Sequence, residues 1–168
     1  RRQRQMCIRD SLMPDKQGRI TEQQVFDAVN SDTILVSMMY VNNEVGSIMP
    51  VKSIKKAVKR ANAPALIHID CVQAFGKLEV KPSKLGADLV TVTAHKIHGP
   101  KGVGALYLKK GTRILPRVFG GEQEKKLRPG TEAIPLIAGF GVAADLIPDL
   151  KKQSEKIKEI NAYAREGL

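Results

Sequence analysis

Aromatic side chains make up only 4% of the 168 residues, tryptophan is absent, and there are two cysteines. No apolar run approaches the roughly 20 residues that a membrane-spanning helix needs, and the start lacks the apolar stretch of a secretory signal. A soluble, cytoplasmic protein without a membrane partner is therefore expected. Two thiols, Cys7 and Cys71, cannot staple a domain of this size. Neither sits at a zinc-ligand spacing, so a reducing compartment and no metal are the expectation. Aromatics this sparse cannot supply base-stacking platforms, which counts against nucleic acid as a partner despite an excess of cations.

That excess is +11, and the first residues inflate it. Four arginines against Asp10 place +3 within residues 1–11 and leave +8 for the remainder, where lysines are dispersed along helices as a solvated face would have them. The segment Arg1–Ser11 also resembles the in-frame translation of a transposase-type sequencing adapter. It is set aside as non-native, with the native chain expected from Leu12 onward. The 42% hydrophobic fraction and the length suit one globular domain.

After Leu12 the apolar pattern alternates between two periods, the signature of strands interleaved with helices. Thr21–Val29 reads as a helix with Thr21 at its N-cap, and Thr33–Tyr40 as a buried strand. Val51–Ala61 carries Val51, Ile54, Ala57, Val58 and Ala61 on one face and lysines on the other, which predicts an amphipathic crossover helix. Ala65–Asp70, Asp88–Thr93 and Gly104–Leu108 read as further strands. The last two are separated by too few residues for a helical crossover, so that pair is expected to be antiparallel. From Glu132 onward two helices are expected, divided near Pro148, the second being the charged Asp149–Arg165. The fold class is thus α/β, a mostly parallel sheet with one antiparallel strand, flanked by helices. Residues 12–148 form the main part and 149–168 a helical segment leading away from it.

Chemistry concentrates where the strands end. Asp70 closes the strand Ala65–Asp70, and carboxyl ends of strands in open α/β sheets are where ligands collect. A carboxylate there either caps the next helix or meets a cation. In pyridoxal phosphate (PLP) enzymes such an aspartate keeps the pyridine nitrogen protonated, so that the ring draws electrons from the substrate α-carbon. Lys96 lies in Thr93-Ala94-His95-Lys96-Ile97-His98-Gly99-Pro100-Lys101-Gly102-Val103-Gly104, a glycine-rich turn directly after an apolar strand. A lysine lodged among apolar strand ends loses hydration, and its amine becomes a nucleophile able to form a Schiff base with an aldehyde. Gly99, Gly102 and Gly104 permit the backbone angles and close approach that a bulky cofactor demands, and Thr93 and His95 offer hydrogen bonds to a phosphate. On spacing alone a lysine, a histidine and glycines are a weak motif, and the alternative is a surface loop with two ordinary lysines.

Four blocks then carry a resemblance: Val41-Asn42-Asn43-Glu44-Val45-Gly46, His68-Ile69-Asp70-Cys71-Val72-Gln73, Ala94-His95-Lys96-Ile97-His98-Gly99-Pro100-Lys101-Gly102, and Leu127-Arg128-Pro129-Gly130-Thr131-Glu132. In order and spacing, residues 12–168 resemble the cysteine desulfurases of the class V aminotransferase group, within the fold type I PLP enzymes. The resemblance implies that Lys96 holds the cofactor and moves substrate protons, while Asp70 pairs with the pyridine nitrogen. It also implies that Gln73 and Asn43 hydrogen-bond near the phenolic oxygen and that Thr93 and His95 hold the phosphate. Thr131 would reach the phosphate of the partner subunit's cofactor, which implies a homodimer. The implied reaction takes L-cysteine to L-alanine and passes sulfur, as a persulfide, to acceptors such as an iron-sulfur scaffold or to tRNA thiolation.

The departures are as specific as the matches. Phe119-Gly120-Gly121-Glu122-Gln123 places Glu122 where the family has a third glycine, and Ala133 stands where asparagine is commoner. The family's upstream phosphate loop, ring-stacking histidine, catalytic cysteine and carboxylate-binding arginine have no counterpart here. The chain is therefore expected to be an internal fragment of the cofactor-binding domain and inactive alone. Cys71 is expected to be a small buried side chain and not the sulfur carrier. A selenocysteine lyase or another class V enzyme would share Lys96 and Asp70, while a basic binding protein is the non-enzymatic alternative.

Overall fold

In the computed structural model, which describes residues 9–167, four strands form a single sheet in the order β1 (Leu35–Met39), β2 (Leu66–Asp70), β3 (Leu89–Thr93) and β4 (Gly104–Leu108). Residues 1–8 of the segment set aside above lie outside the described residues. Strands β1, β2 and β3 are parallel, and β4 returns antiparallel to β3 in the register Leu89 to Leu108 and Thr93 to Gly104. The mostly parallel sheet with one antiparallel strand, expected from the short β3–β4 connection, is thus observed.

The helices are α1 (Glu22–Ala28), α2 (Val51–Arg60), the single turn α3 (Pro82–Leu85), α4 (Ile134–Asp145) and α5 (Leu150–Glu166). Helix α1 starts at a capping box: the Thr21 hydroxyl accepts from the Gln24 amide at 3.2 Å, and the Thr21 amide donates to Gln24 Oε1 at 2.9 Å. Helix α2 turns Val51, Ile54 and Ala57 inward and its lysines outward, as its 3.6-residue periodicity predicts. Helix α3 begins with Pro82 and ends at Gly86, whose φ of 70° is the left-handed cap that glycine adopts without penalty. Asp149 caps α5 by accepting from the Lys151 and Lys152 amides.

Alternation along the strands sorts the sheet into two faces. Ile67, Ile69 and Val90 point to the side covered by α1, α2 and α3, where they pack with Val25, Val51, Ile54 and Leu85 in the core. Each such side chain contributes about 1.5–3 kcal/mol by leaving water. His68, Asp70, Thr91 and Thr93 belong to the opposite set of positions. Helix α4 packs on the turn after β3 and reaches the turn after β2, where Phe75 and Phe140 stand edge to face at 6.4 Å. Among the described residues no helix is long and apolar enough to cross a membrane.

Candidate active site at the carboxyl ends of β1, β2 and β3

Parallel pairing puts the ends of three strands, and the turns that follow them, on one edge of the sheet. Asp70 is level with Met39 of β1 and Thr91 of β3. Its Oδ1 accepts from the Val72 amide at 2.9 Å, and Oδ2 has no partner among the described residues. The expected helix-cap reading of Asp70 is thus met only as far as this one turn bond, with one carboxylate oxygen left over for a cation. Gln73 is half-buried in the turn that follows, in which the amides of Ala74 and Phe75 both donate to the Cys71 carbonyl.

Asn43 lies in the connection after β1, closed by a bridge between Val41 and Ile48. Asn42 organises this loop by accepting from the Glu44 and Val45 amides at 2.9 and 3.0 Å. Asn43 itself is exposed and donates to Glu44 Oε1 at 2.6 Å.

After β3 the chain enters a short 3-10 turn, Ala94–Lys96. Thr93 Oγ1 donates to the Val103 carbonyl at 3.2 Å and stands 3.0 Å from His95 Nδ1, so hydroxyl and imidazole form a pair at the strand end. The turn buries Ala94 and Ile97 and directs His95 and Lys96 outward. This corrects the expectation of a lysine lodged among apolar strand ends. The buried positions of so tight a turn are already occupied by the two apolar residues that flank His95 and Lys96, and the Lys96 side chain is exposed.

The glycines after Lys96 also differ from expectation. A Cβ on Gly99 would come within 2.9 Å of Ala94 Cβ and 3.1 Å of Ala143 Cβ, and one on Gly104 within 2.8 Å of the Val92 carbonyl oxygen. Their smallness serves the packing of the turn on α4 and β3. Gly102 alone of the three needs a left-handed backbone, with φ of 87°.

Thr131 is exposed at the end of the long connection from β4 to α4, whose Gly130 amide donates to Gln123 Oε1 at 3.1 Å. Glu124, Lys125 and Lys126 in this connection all have positive φ, between 47° and 66°. No described hydrogen bond joins Thr131 to the group at the strand ends. The structure thus brings Asp70, Gln73, Thr93, His95 and Lys96 to adjoining strand ends and places Asn43 on the neighbouring loop, while Thr131 is exposed on the β4–α4 connection.

Two features escaped the sequence reading. His68, two residues before Asp70 and on the same face, is gripped on both sides: Ser37 Oγ lies 2.8 Å from Nδ1 and Thr91 Oγ1 lies 3.2 Å from Nε2. Burial lowers the pKa of its ring, with the Asp70 charge opposing. Only the two-residue spacing of His68 and Asp70 was visible beforehand; the partners required the strand register. The second feature is Lys77, whose Nζ donates to the Lys96 carbonyl at 3.2 Å.

A cavity of about 670 Å³ opens behind the Lys96 turn, lined among others by Lys77, Lys96, Ile97, Val142 and Leu146. Asp70, Gln73, Thr93 and His95 do not line it, so Lys96 is the sole candidate residue it shares with the strand-end group.

Chemically, the strand ends assemble a primary amine, a carboxylate with a spare oxygen, a hydroxyl–imidazole pair and two amides. That donor set suits an aromatic aldehyde phosphate: amine for the aldehyde, carboxylate for a protonated ring nitrogen, hydroxyl and imidazole for the phosphate. Cys71 offers no nucleophile, because burial first and the Asp70 charge second push its thiol up to about 12.

Comparison with known proteins gives one consistent family. The aminotransferase class-V family matches residues 2–168, a span that takes in most of the segment set aside above. A cysteine desulfurase, IscS 1, of Archaeoglobus fulgidus is 43% identical over 132 residues, 79% of this chain and 34% of the relative. The solved structure of a NifS-like protein superposes with a TM-score of 0.86 at 38% identity, covering 92% of this chain and 42% of that one. That of SspA in complex with cysteine superposes with a TM-score of 0.77 at 36% identity, covering 91% and 45%. The chain therefore spans less than half the length of the relatives it matches.

Proposed function

The chain belongs to the class-V aminotransferase family, as a fragment of the cysteine desulfurase kind, and from that premise we propose that its strand-end group is a PLP site serving removal of sulfur from L-cysteine. The reading rests on the convergence of Asp70 and Lys96 at the adjoining ends of β2 and β3, with the Thr93–His95 pair between them in sequence.

When bound, PLP supplies an electron sink for negative charge at the substrate α-carbon. Lys96 Nζ would hold the cofactor and carry protons to and from the substrate. Asp70, with Oδ2 left over at the strand end, would keep the ring nitrogen protonated. Gln73 and Asn43 would hydrogen-bond near the phenolic oxygen, and Thr93 and His95 would hold the phosphate. Thr131, exposed at the end of the β4–α4 connection, serves the partner subunit's cofactor in a homodimer.

The sulfur must leave on a thiolate other than Cys71, whose thiol stays protonated at neutral pH. Acceptors such as an iron-sulfur scaffold then take it up. SspA was solved with cysteine bound, which supports the same substrate here. Two cysteines that cannot staple the domain fit a reducing compartment, and the cytoplasm is the proposed location.

The test is capture of the cofactor. PLP added to the protein should produce a visible absorbance band that borohydride bleaches, with the reduced adduct found on the peptide containing Lys96. Lys96→Ala should abolish it. An adduct on other lysines, unchanged in Lys96→Ala, overturns the assignment.

A further inference from the structure

The turn that follows Asp70 and the turn that carries Lys96 are in direct contact, and two consecutive residues make that contact. Gly76 has φ of 77°, and a Cβ there would lie 2.7 Å from Ile97 Cγ2, so the first turn presses on the second as closely as a backbone can. Lys77, next in the chain, extends along the Lys96 turn and donates from Nζ to the Lys96 carbonyl oxygen at 3.2 Å.

We propose that Lys77 is a positioning residue: its ammonium clamps the main chain of the Lys96 turn and so fixes Lys96 relative to Asp70. The proposal rests on Lys96 being the amine that holds the cofactor.

A surface lysine is ordinarily free to swing into water, where its charge is best hydrated. Lys77, although exposed, instead lies along the Lys96 turn beside a second cation, with Nζ on the Lys96 carbonyl oxygen. Its pKa is lowered first by burial and then by the charge of Lys96. The carbonyl of Lys96 accepts from this charged donor at 3.2 Å, which holds the side chain along the turn. The covalent path from Asp70 to Lys77 is a compact turn, with the Lys77 amide donating to the Ala74 carbonyl at 2.9 Å and the Leu78 amide to the same oxygen at 2.8 Å. A rigid link thus runs from the carboxylate, through this turn and the Lys77 side chain, to the backbone under Lys96. Within the 3-10 turn the Ile97 and Gly99 amides both donate to the Ala94 carbonyl, so they report on whether the turn is held.

The test compares wild type with Lys77→Met, which keeps the apolar stem but loses donor and charge, and Lys77→Arg, which keeps both. Thermal melts establish that each variant folds. Two readouts are taken: hydrogen exchange of the Ile97 and Gly99 amides without cofactor, and the rate at which added PLP becomes trapped by borohydride on the Lys96 peptide. Lys77→Met should exchange faster at both amides and trap about tenfold more slowly, the cost of sub-ångström misplacement of a reacting group. Lys77→Arg should restore both. Wild-type exchange and trapping in Lys77→Met overturn the clamp, as does a Lys77→Arg that fails equally, since packing and not the ammonium would then be responsible. Trapping at other lysines in wild type overturns the Lys96 assignment, and the exchange readout then decides the clamp by itself.

Discussion

Cys71 follows Asp70 directly, yet its thiol is sealed in the core with no exposure while the Asp70 carboxylate remains half-buried at the strand end. Burial and then the neighbouring carboxylate raise the thiol to about 12. From a starting value of 9.0, that leaves about a thousandfold less thiolate at neutral pH. Alkylation followed by peptide mass spectrometry should find Cys71 unmodified in the native protein and modified promptly once it is unfolded. The same shift links to stability. The folded pKa exceeds the unfolded one, so the stabilisation is complete below about pH 9 and is lost as pH rises from there towards 12. Cys71→Ala should flatten that alkaline decline. Labelling of native Cys71 at the rate of an exposed thiol would contradict the assignment.

His68 gives a prediction of opposite sense on the acid side. Burial depresses its folded pKa below the unfolded value of about 6.5, so the unfolded chain takes up a proton first. Stability contributed by neutral His68 is present above that value and falls as the solution is acidified through and below it. At neutral pH, His68→Leu should cost about 1–2 kcal/mol through the lost contacts with Ser37 and Thr91. It should also narrow the gap between urea midpoints measured near neutrality and in mild acid. An unchanged gap would mean that another group carries the acid response.

What was legible beforehand follows from which forces are local. The four strands, the Thr21 cap and the inward stripe of α2 were readable because periodicity and capping depend on neighbours within one or two turns. The α3 turn was not, being a single turn stabilised by Pro82 and Gly86 against Lys55. Asp70 and Lys96 were recognisable from the blocks around them, and their meeting at one edge followed from parallel pairing. The Ser37–His68–Thr91 rung was invisible because it needs the register of three strands far apart in the chain. The expectation of a dehydrated Lys96 failed for a related reason: a motif shows which residues stand together, whereas exposure depends on how the turn rotates them. Gly99 was misread in the same way, since the atoms that demand its smallness belong to Ala94 and Ala143.

That rereading of Gly99 can be tested within one pair of elements. Adding a methyl group at Gly99 places it 2.9 Å from Ala94 Cβ, 3.1 Å from Ala143 Cβ and 3.1 Å from the Ala94 carbonyl oxygen. None of these is the end of a flexible side chain, so the Lys96 turn and α4 must move apart, at about 1–3 kcal/mol. Gly141, within α4, is the matched control because a methyl group added there would meet nothing within 4 Å. Gly141→Ala should raise the melting temperature, since alanine in a helix interior is favoured over glycine by about 1 kcal/mol. Gly99→Ala should lower the melting temperature and speed amide exchange at Ile97, because the displaced turn carries that amide's bond to Ala94. If Gly99→Ala melted like wild type while Gly141→Ala behaved as expected, the contact between the Lys96 turn and α4 would be looser than the structure places it. The glycine would then have to be explained by what binds at the turn and not by what packs beneath it.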